Sequence, residues 1–243
     1  MLIRIVSGRF CEIRQKQEED SLNGKTNSAV LERTVQIEIK DHAVYLAVKR
    51  IMDVIGSAAA LIFSGPVILG FALAIYLDDP HGSPFFSQSR VGRDGKEFKF
   101  WKLRIMVCNA EDLLKDLQDR NEMEGPAFKI KEDPRITRIG HFIRKTSIYE
   151  LPQFWNVLKG DMSIVGPRPP LPREVERYTP YQRQRLMVKP GITCIWQVQH
   201  GRNDFTFDEW VDLDIEYIEH RSLWLDIKLM MRTAAVMFGG EGR

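Results

Sequence analysis

VIGSAAALIFSGPVILGFALAIYL, residues 54–77, is a run of 24 positions without a charge in a chain of 243 residues. At ~1.5 Å rise per residue, a straight helix of that length crosses a hydrocarbon core of about 30 Å. Ser64-Gly65-Pro66 stands at its middle. Proline removes an amide donor and bends a helix, which leaves two halves of two or three turns each. Halves that short suit a kinked, re-entrant helix that enters and leaves by one membrane face, with the Ser64 hydroxyl serving backbone groups freed at Pro66. The flanks agree. Lys49 and Arg50 precede the run and Arg90, Arg93 and Lys96 follow it, so both ends carry the charge expected on the cytoplasmic side. Asp53 lies one turn beyond Lys49 and Arg50 and pairs with either. A buried core helix is the alternative reading of the same run.

Around this segment, 44% hydrophobic and 28% charged residues suffice for one main cored domain with appendages. A formal net charge of +2 gives no argument for nucleic acid, and none is expected as a partner. The charge is concentrated locally. Over residues 129–173, nine Lys and Arg (129, 131, 135, 138, 144, 145, 159, 168, 173) face four Asp and Glu (132, 133, 150, 161), a net +5. Such a run is either a solvated face or a cradle for phosphates, whose oxygens suit guanidinium forks. Cys11, Cys108 and Cys194 are far apart, so neither a disulfide framework nor a zinc site is expected and a reducing compartment fits. The opening MLIRIVSGRF reads as no secretory signal, because an arginine interrupts its short apolar run.

Residues 1–48 read as a polar extension in which alternating Val35, Ile37 and Ile39 suggest a short strand, residues 49–79 as the membrane helix, and residues 80–243 as a cytoplasmic domain. The stretch PFFSQSRVGRDGKEFKFWKL predicts a β-hairpin turning at residues 92–95 and bringing Lys102 and Arg104 to one place. Asn109 is expected to cap a helix to about Met123, Thr206 with Glu209 to open a helix to about Glu219, and Ser222 to start a last one. The bulky Trp224, Leu225, Met230 and Met231 of that last helix suit either core or the membrane interface. The fold class is therefore α+β and helix-rich, a monotopic membrane protein with a hairpin and amphipathic interfacial helices.

Two motifs carry candidate chemistry. Ser147-Ile-Tyr-Glu150 reads as a capping box, and a helix start that offers free amides is also a natural phosphate site where Glu150 can hold Mg²⁺. Gly166-Pro-Arg-Pro-Pro170 fixes the backbone on both sides of Arg168 and aims one guanidinium, or is an ordinary proline-rich turn. The KPGIT segment at 189–193 and the Gly201-Arg-Asn203 segment read as loops by composition alone.

Taken together the pieces resemble the bacterial sugar transferase family, the monotopic polyprenol-phosphate phosphoglycosyl transferases. The likeness runs from about residue 49 to 238. It includes KRxxD at Lys49, Arg50 and Asp53, the Ser64-Gly-Pro66 break, FWKLR at residues 100–104, ELPQFWNVLKGDMSIVGPRP, KPGIT and GRN. The resemblance implies a catalytic domain on the cytoplasmic face of the inner membrane. There a UDP-sugar gives its phosphosugar to polyprenol (undecaprenyl) phosphate, releasing UMP with Mg²⁺, as the first step of exopolysaccharide, capsule or O-antigen assembly that downstream glycosyltransferases continue. It makes Glu150 the Mg²⁺ ligand, sets Lys102, Arg104, Arg144 and Arg168 on the phosphates, and puts Gln197 and Arg202 near the nucleotide. Family members form a covalent phosphosugar on an Asp directly before the Glu of an Asp-Glu dyad, and here that catalytic position is Tyr149. A phenol, with a pKa of ~10, needs activation before it attacks phosphorus. Three readings follow: an activated Tyr149 nucleophile, direct transfer without an adduct, or an inactive member that binds nucleotide and lipid as a membrane scaffold.

Overall fold

The apolar run lies in α1, Ala43–Asp78, one helix of 36 residues. The computed structural model describes residues 37, 39, 42–120, 130, 133–199, 201 and 205–238, and from Ile37 onward the chain packs as one unit. α1 buries Asp53, Ser57, Ile68, Ala72 and Ile75, a stripe at the three- and four-residue spacing of one helix face. It leaves Ile55, Ile62, Phe63, Leu69 and Leu77 exposed. Only 17% of its most apolar 18-residue window is buried, which sets the core-helix alternative aside.

The break expected at Ser64 and Pro66 does not end the helix. Pro66 deprives the Ile62 carbonyl of its donor, while the Ser64 hydroxyl donates one turn back to the Ala60 carbonyl at 2.6 Å. One lost bond is small beside a buried stripe that continues on both sides of it. Both ends of α1 then dock on the same domain. Near the start, Lys49 Nζ donates to the Val165 carbonyl at 3.0 Å and pairs with Asp226 at 2.9 Å. Arg50 donates to the carbonyls of Val157 and Leu158 at 2.7 and 2.8 Å, and Asp53 accepts from Ser163 Oγ and the Ile164 amide at 3.0 and 2.9 Å. Toward the end, Ile68, Ala72 and Ile75 join Leu103 and Ile143 in one buried cluster.

β1 (Phe85–Val91) and β2 (Glu97–Leu103) form the expected antiparallel hairpin, with Phe86 opposite Lys102 and Arg90 opposite Phe98. Its turn takes positive φ at Asp94 and Gly95, the geometry that these residue types tolerate. α2 (Ala110–Leu114) runs into a 3₁₀ segment and is shorter than expected. Asn109 does not cap it through its side chain, because its backbone (φ −95, ψ 22) lacks the extended conformation an N-cap needs. α3 (Arg138–Lys145) is capped by Thr137. α4 (Gln153–Lys159) ends at Gly160 in the left-handed conformation, φ 95, and Arg50 satisfies its last carbonyls.

The KPGIT segment, which composition left as a loop, supplies β4 (Gly191–Thr193), parallel to β3 (Ser163–Val165) with Ser163 opposite Gly191. The short helices α5 (Pro172–Val175) and α6 (Pro180–Arg183) connect them. α7 (Phe207–His220) opens on the Thr206–Glu209 capping box. α8 (Leu223–Phe238) follows Ser222, whose hydroxyl accepts from the Leu225 amide at 3.3 Å. On α8, Asp226 and Leu229 are buried while Trp224 and Met231 stand 67% and 69% exposed. Val35 lies outside the described residues; Ile37 and Ile39 are not in a strand, and the Ile37 amide donates to Gln184 Oε1 at 2.7 Å.

Candidate functional site

The capping box expected at Ser147 is not formed. Ser147 is left-handed (φ 56, ψ 10) and makes no side-chain cap, because a cap requires extended backbone there. Ile148–Glu150 make a 3₁₀ turn, and Pro152, which lacks an amide to continue it, separates that turn from α4. The consequence is a division of labour between adjacent side chains. Tyr149 packs on the cluster of Ile68, Ala72, Ile75, Leu103 and Ile143, whereas Glu150 lines a small cavity that opens to solvent.

That cavity is lined by Arg90, Phe100, Lys102, Glu150, Gln153, Arg168, Pro169, Gly191, Ile192 and Gln197. The hairpin supplies one wall. Lys102 Nζ stands 4.9 Å from the Phe100 ring centroid and 5.5 Å from that of Tyr149, within range of the attraction between a cation and a ring face. Burial, with Arg90, Arg168 and Arg144 as like charges, pushes Lys102 down to about 7, and Glu150 pulls the other way. Arg90 Nη1 donates to the Pro169 carbonyl at 2.9 Å and the Val91 amide to the Pro170 carbonyl at 2.9 Å. The Arg168 loop is thereby tied to the hairpin edge. From the other side, the Gly191 amide donates to the Pro167 carbonyl at 2.8 Å and the Gly166 amide to the Thr193 carbonyl at 3.0 Å. A Cβ on Gly191 would strike the backbone of Gly166 and one on Gly166 the Lys189 carbonyl, so both must be glycine for this crossing to close. Arg168 itself is exposed at the cavity mouth.

Of the residues singled out in the sequence, Lys102, Glu150, Arg168 and Gln197 come together at this cavity. Arg144, in the last turn of α3, acts on Lys102 through its charge. Arg104 goes elsewhere. It lies past the end of β2, where its Nη1 meets Asp79 Oδ2 at 2.5 Å and Cys108 Sγ at 2.8 Å, and its Nη2 meets the carbonyls of Asp79 and Gly82. With those partners it clamps the end of α1, outside the cavity lining. Arg202 lies outside the described residues. Arg90 and Gln153 were missed as site residues. Arg90 read only as a flanking charge and Gln153 only as one position of the ELPQFWNVLKGDMSIVGPRP stretch, with no role assigned to either.

Among the described residues no group of three or more His, Cys, Asp or Glu side chains converges on a metal position. Glu150 is the one carboxylate of the cavity lining, beside the amides of Gln153 and Gln197. This donor set fits Mg²⁺, which takes one or two carboxylates and completes its octahedron with water and phosphate oxygens.

A family model described as bacterial sugar transferase matches residues 44–240. Galactosyl transferase CpsE of Streptococcus agalactiae is 50% identical over 199 residues, 82% of this chain and 44% of that protein. The undecaprenyl-phosphate galactose phosphotransferase of Salmonella typhimurium is 44% identical over 199 residues, 80% of this chain and 41% of that protein. Exopolysaccharide production protein ExoY of Rhizobium meliloti is 34% identical over 189 residues, 76% of this chain and 83% of that protein. The chain thus spans less than half the length of the first two. With the family model covering α1, the hairpin, the Glu150 turn and the Arg168 loop, the chain belongs to the bacterial sugar transferase family.

Proposed function

We propose that the chain transfers a phosphosugar from a UDP-sugar to polyprenol phosphate at the cytoplasmic face of the inner membrane, releasing UMP. The observation that carries this reading is the cavity: three cations and a single carboxylate, Arg90, Lys102, Arg168 and Glu150, beside the helix that presents an apolar face. Phosphoryl transfer needs positioning and charge neutralisation more than covalent chemistry, and this lining offers both. The Salmonella relative, an undecaprenyl-phosphate galactose phosphotransferase, supports the same substrate class. Both ends of α1 meet one domain, which favours a helix that rests in one leaflet over one that crosses. Residues 80–243 are then the cytoplasmic catalytic domain, and the membrane helix begins at Ala43, earlier than residue 49.

In the proposed step an oxygen of the acceptor phosphate bonds to the sugar-bearing phosphorus. The bond from that phosphorus to the bridging oxygen breaks, and UMP departs with the electron pair. Lys102, Arg168 and the charge of Arg144 offset the negative charge of donor and acceptor. Glu150 would hold Mg²⁺, which supplies Lewis-acid neutralisation of the diphosphate. Tyr149 is not among the lining residues; its ring lies against Lys102 and the apolar cluster. Transfer therefore proceeds in one displacement, with Tyr149 holding Lys102 in place. Detergent-solubilised protein given a panel of UDP-sugars, Mg²⁺ and undecaprenyl phosphate is expected to release UMP while its intact mass stays unchanged, and Tyr149→Phe is expected to keep most of the rate. A phosphosugar adduct on Tyr149, or loss of UMP release in Tyr149→Phe, would move the nucleophile to Tyr149. No UMP from wild type with any sugar would leave the scaffold reading.

A further inference from the structure

Two buried donors at the cavity, Gln153 Nε2 and Arg90 Nε, have no hydrogen-bond partner among the described residues. Their residues are 2% and 7% exposed. A sealed amide donor without an acceptor costs free energy, and native folds leave few of them. Arg90 spends its two Nη groups on the Pro169 carbonyl and on Gln88 Oε1, and its Nε keeps no acceptor among the described residues. Neighbouring Lys102 and Arg168 bring only donors and positive charge. The acceptor that answers all of these must carry several lone pairs and negative charge, which describes a phosphoryl oxygen.

We propose that Gln153 is a substrate-binding residue whose Nε2–H, together with Arg90 Nε–H, receives a non-bridging phosphate oxygen of the bound uridine nucleotide. This rests on the transferase reading of the cavity. Gln153 then recognises the part that donor and leaving product share, UMP, and is indifferent to the sugar.

The test is calorimetric titration of UMP and of a UDP-sugar into the full chain in detergent, with Mg²⁺, for wild type, Gln153→Leu, Gln153→Met and Gln153→Glu, alongside thermal unfolding of each. The apolar variants remove an unsatisfied donor, so they are expected to unfold no lower than wild type. They are expected to bind UMP and UDP-sugar alike roughly ten- to a hundredfold more weakly, and Gln153→Glu weaker still, because a carboxylate repels phosphate. Unchanged UMP affinity in the apolar variants overturns the inference, and so does a loss confined to the UDP-sugar, which would make Gln153 a sugar contact. Unfolding at markedly lower temperature in both apolar variants assigns a structural role and overturns it too. Wild type that binds neither nucleotide overturns the transferase reading as well, an outcome distinct from the other three.

Discussion

Lys102 has an ammonium that holds its proton weakly, down to about 7, because burial and the charges of Arg90, Arg168 and Arg144 all oppose the protonated form. Between pH 7 and its usual value of 10.5 the side chain is therefore mostly neutral in the free protein. An arriving phosphate supplies the missing negative charge and raises the affinity for the proton again. The expected sign is proton uptake on binding, up to about one proton per UMP near pH 8.5 and falling toward none below pH 6. Titrations in two buffers of different ionisation enthalpy measure it, and Lys102→Met is expected to abolish the uptake. At this scale the sequence was half legible. Lys102, Glu150 and Arg168 stood out because their types and motif positions advertise phosphate chemistry. Arg104 shares the strand parity of Lys102 but lies beyond the last β2 residue and turns to Asp79, a placement its motif does not reveal. Gln153 was silent, because an unsatisfied donor exists only once the chain around it is folded.

Among the elements, α1 carries most of the architecture, and its apolar length was plain from the start. The polar side of it was less so. KRxxD suggested a pairing within the helix, whereas each of its charges reaches a different partner: Lys49 goes to α8, Arg50 to the end of α4, and Asp53 to β3. No local pattern encodes that, since the partners lie more than a hundred residues away. The Lys49–Asp226 pair is buried, with side chains 15% and 2% exposed, and Asp226 also accepts from the hydroxyls of Tyr217 and Tyr45 at 2.7 and 3.0 Å. Removing Lys49 alone strands a buried carboxylate. Lys49→Met is expected to cost about 3 kcal/mol of stability, the low end for a broken buried pair because two hydroxyls remain. Lys49→Met combined with Asp226→Asn should cost less than the sum of the two single changes. Chemical unfolding in detergent measures both; strict additivity would mean that the pair contributes nothing.

Among the described residues, apolar side chains stand exposed along the outer face of α1 and along the Trp224–Met231 stripe of α8. Lys228 and Arg232 flank the latter, partly buried, the arrangement of a helix that lies among headgroups. In vesicles that contain anionic lipid, Trp224 is expected to be quenched by bromine placed high on the acyl chains, and high salt is expected to leave the protein on the membrane. A Trp224 signal unaffected by brominated lipid would remove α8 from the interface while leaving α1 in it. The fold class was legible because hydropathy and charge asymmetry act over whole segments. The β3–β4 pairing was not, because three-residue strands carry too little pattern to be told from a loop.

α1 is stitched to the domain at both ends, by Arg50 and Asp53 at one and by Asp79 with Arg104 at the other. The anchor is consequently not an interchangeable module. A chimera in which an unrelated apolar helix replaces residues 43–78 is expected to stay on membranes and yet lose nucleotide binding, since Asp53 fixes the strand that leads into the Arg168 loop. On the proposed function, membrane residence and catalysis are then inherited as one piece, and variation that adapts the anchor to another membrane falls on the many outward positions of α1 rather than on its buried stripe.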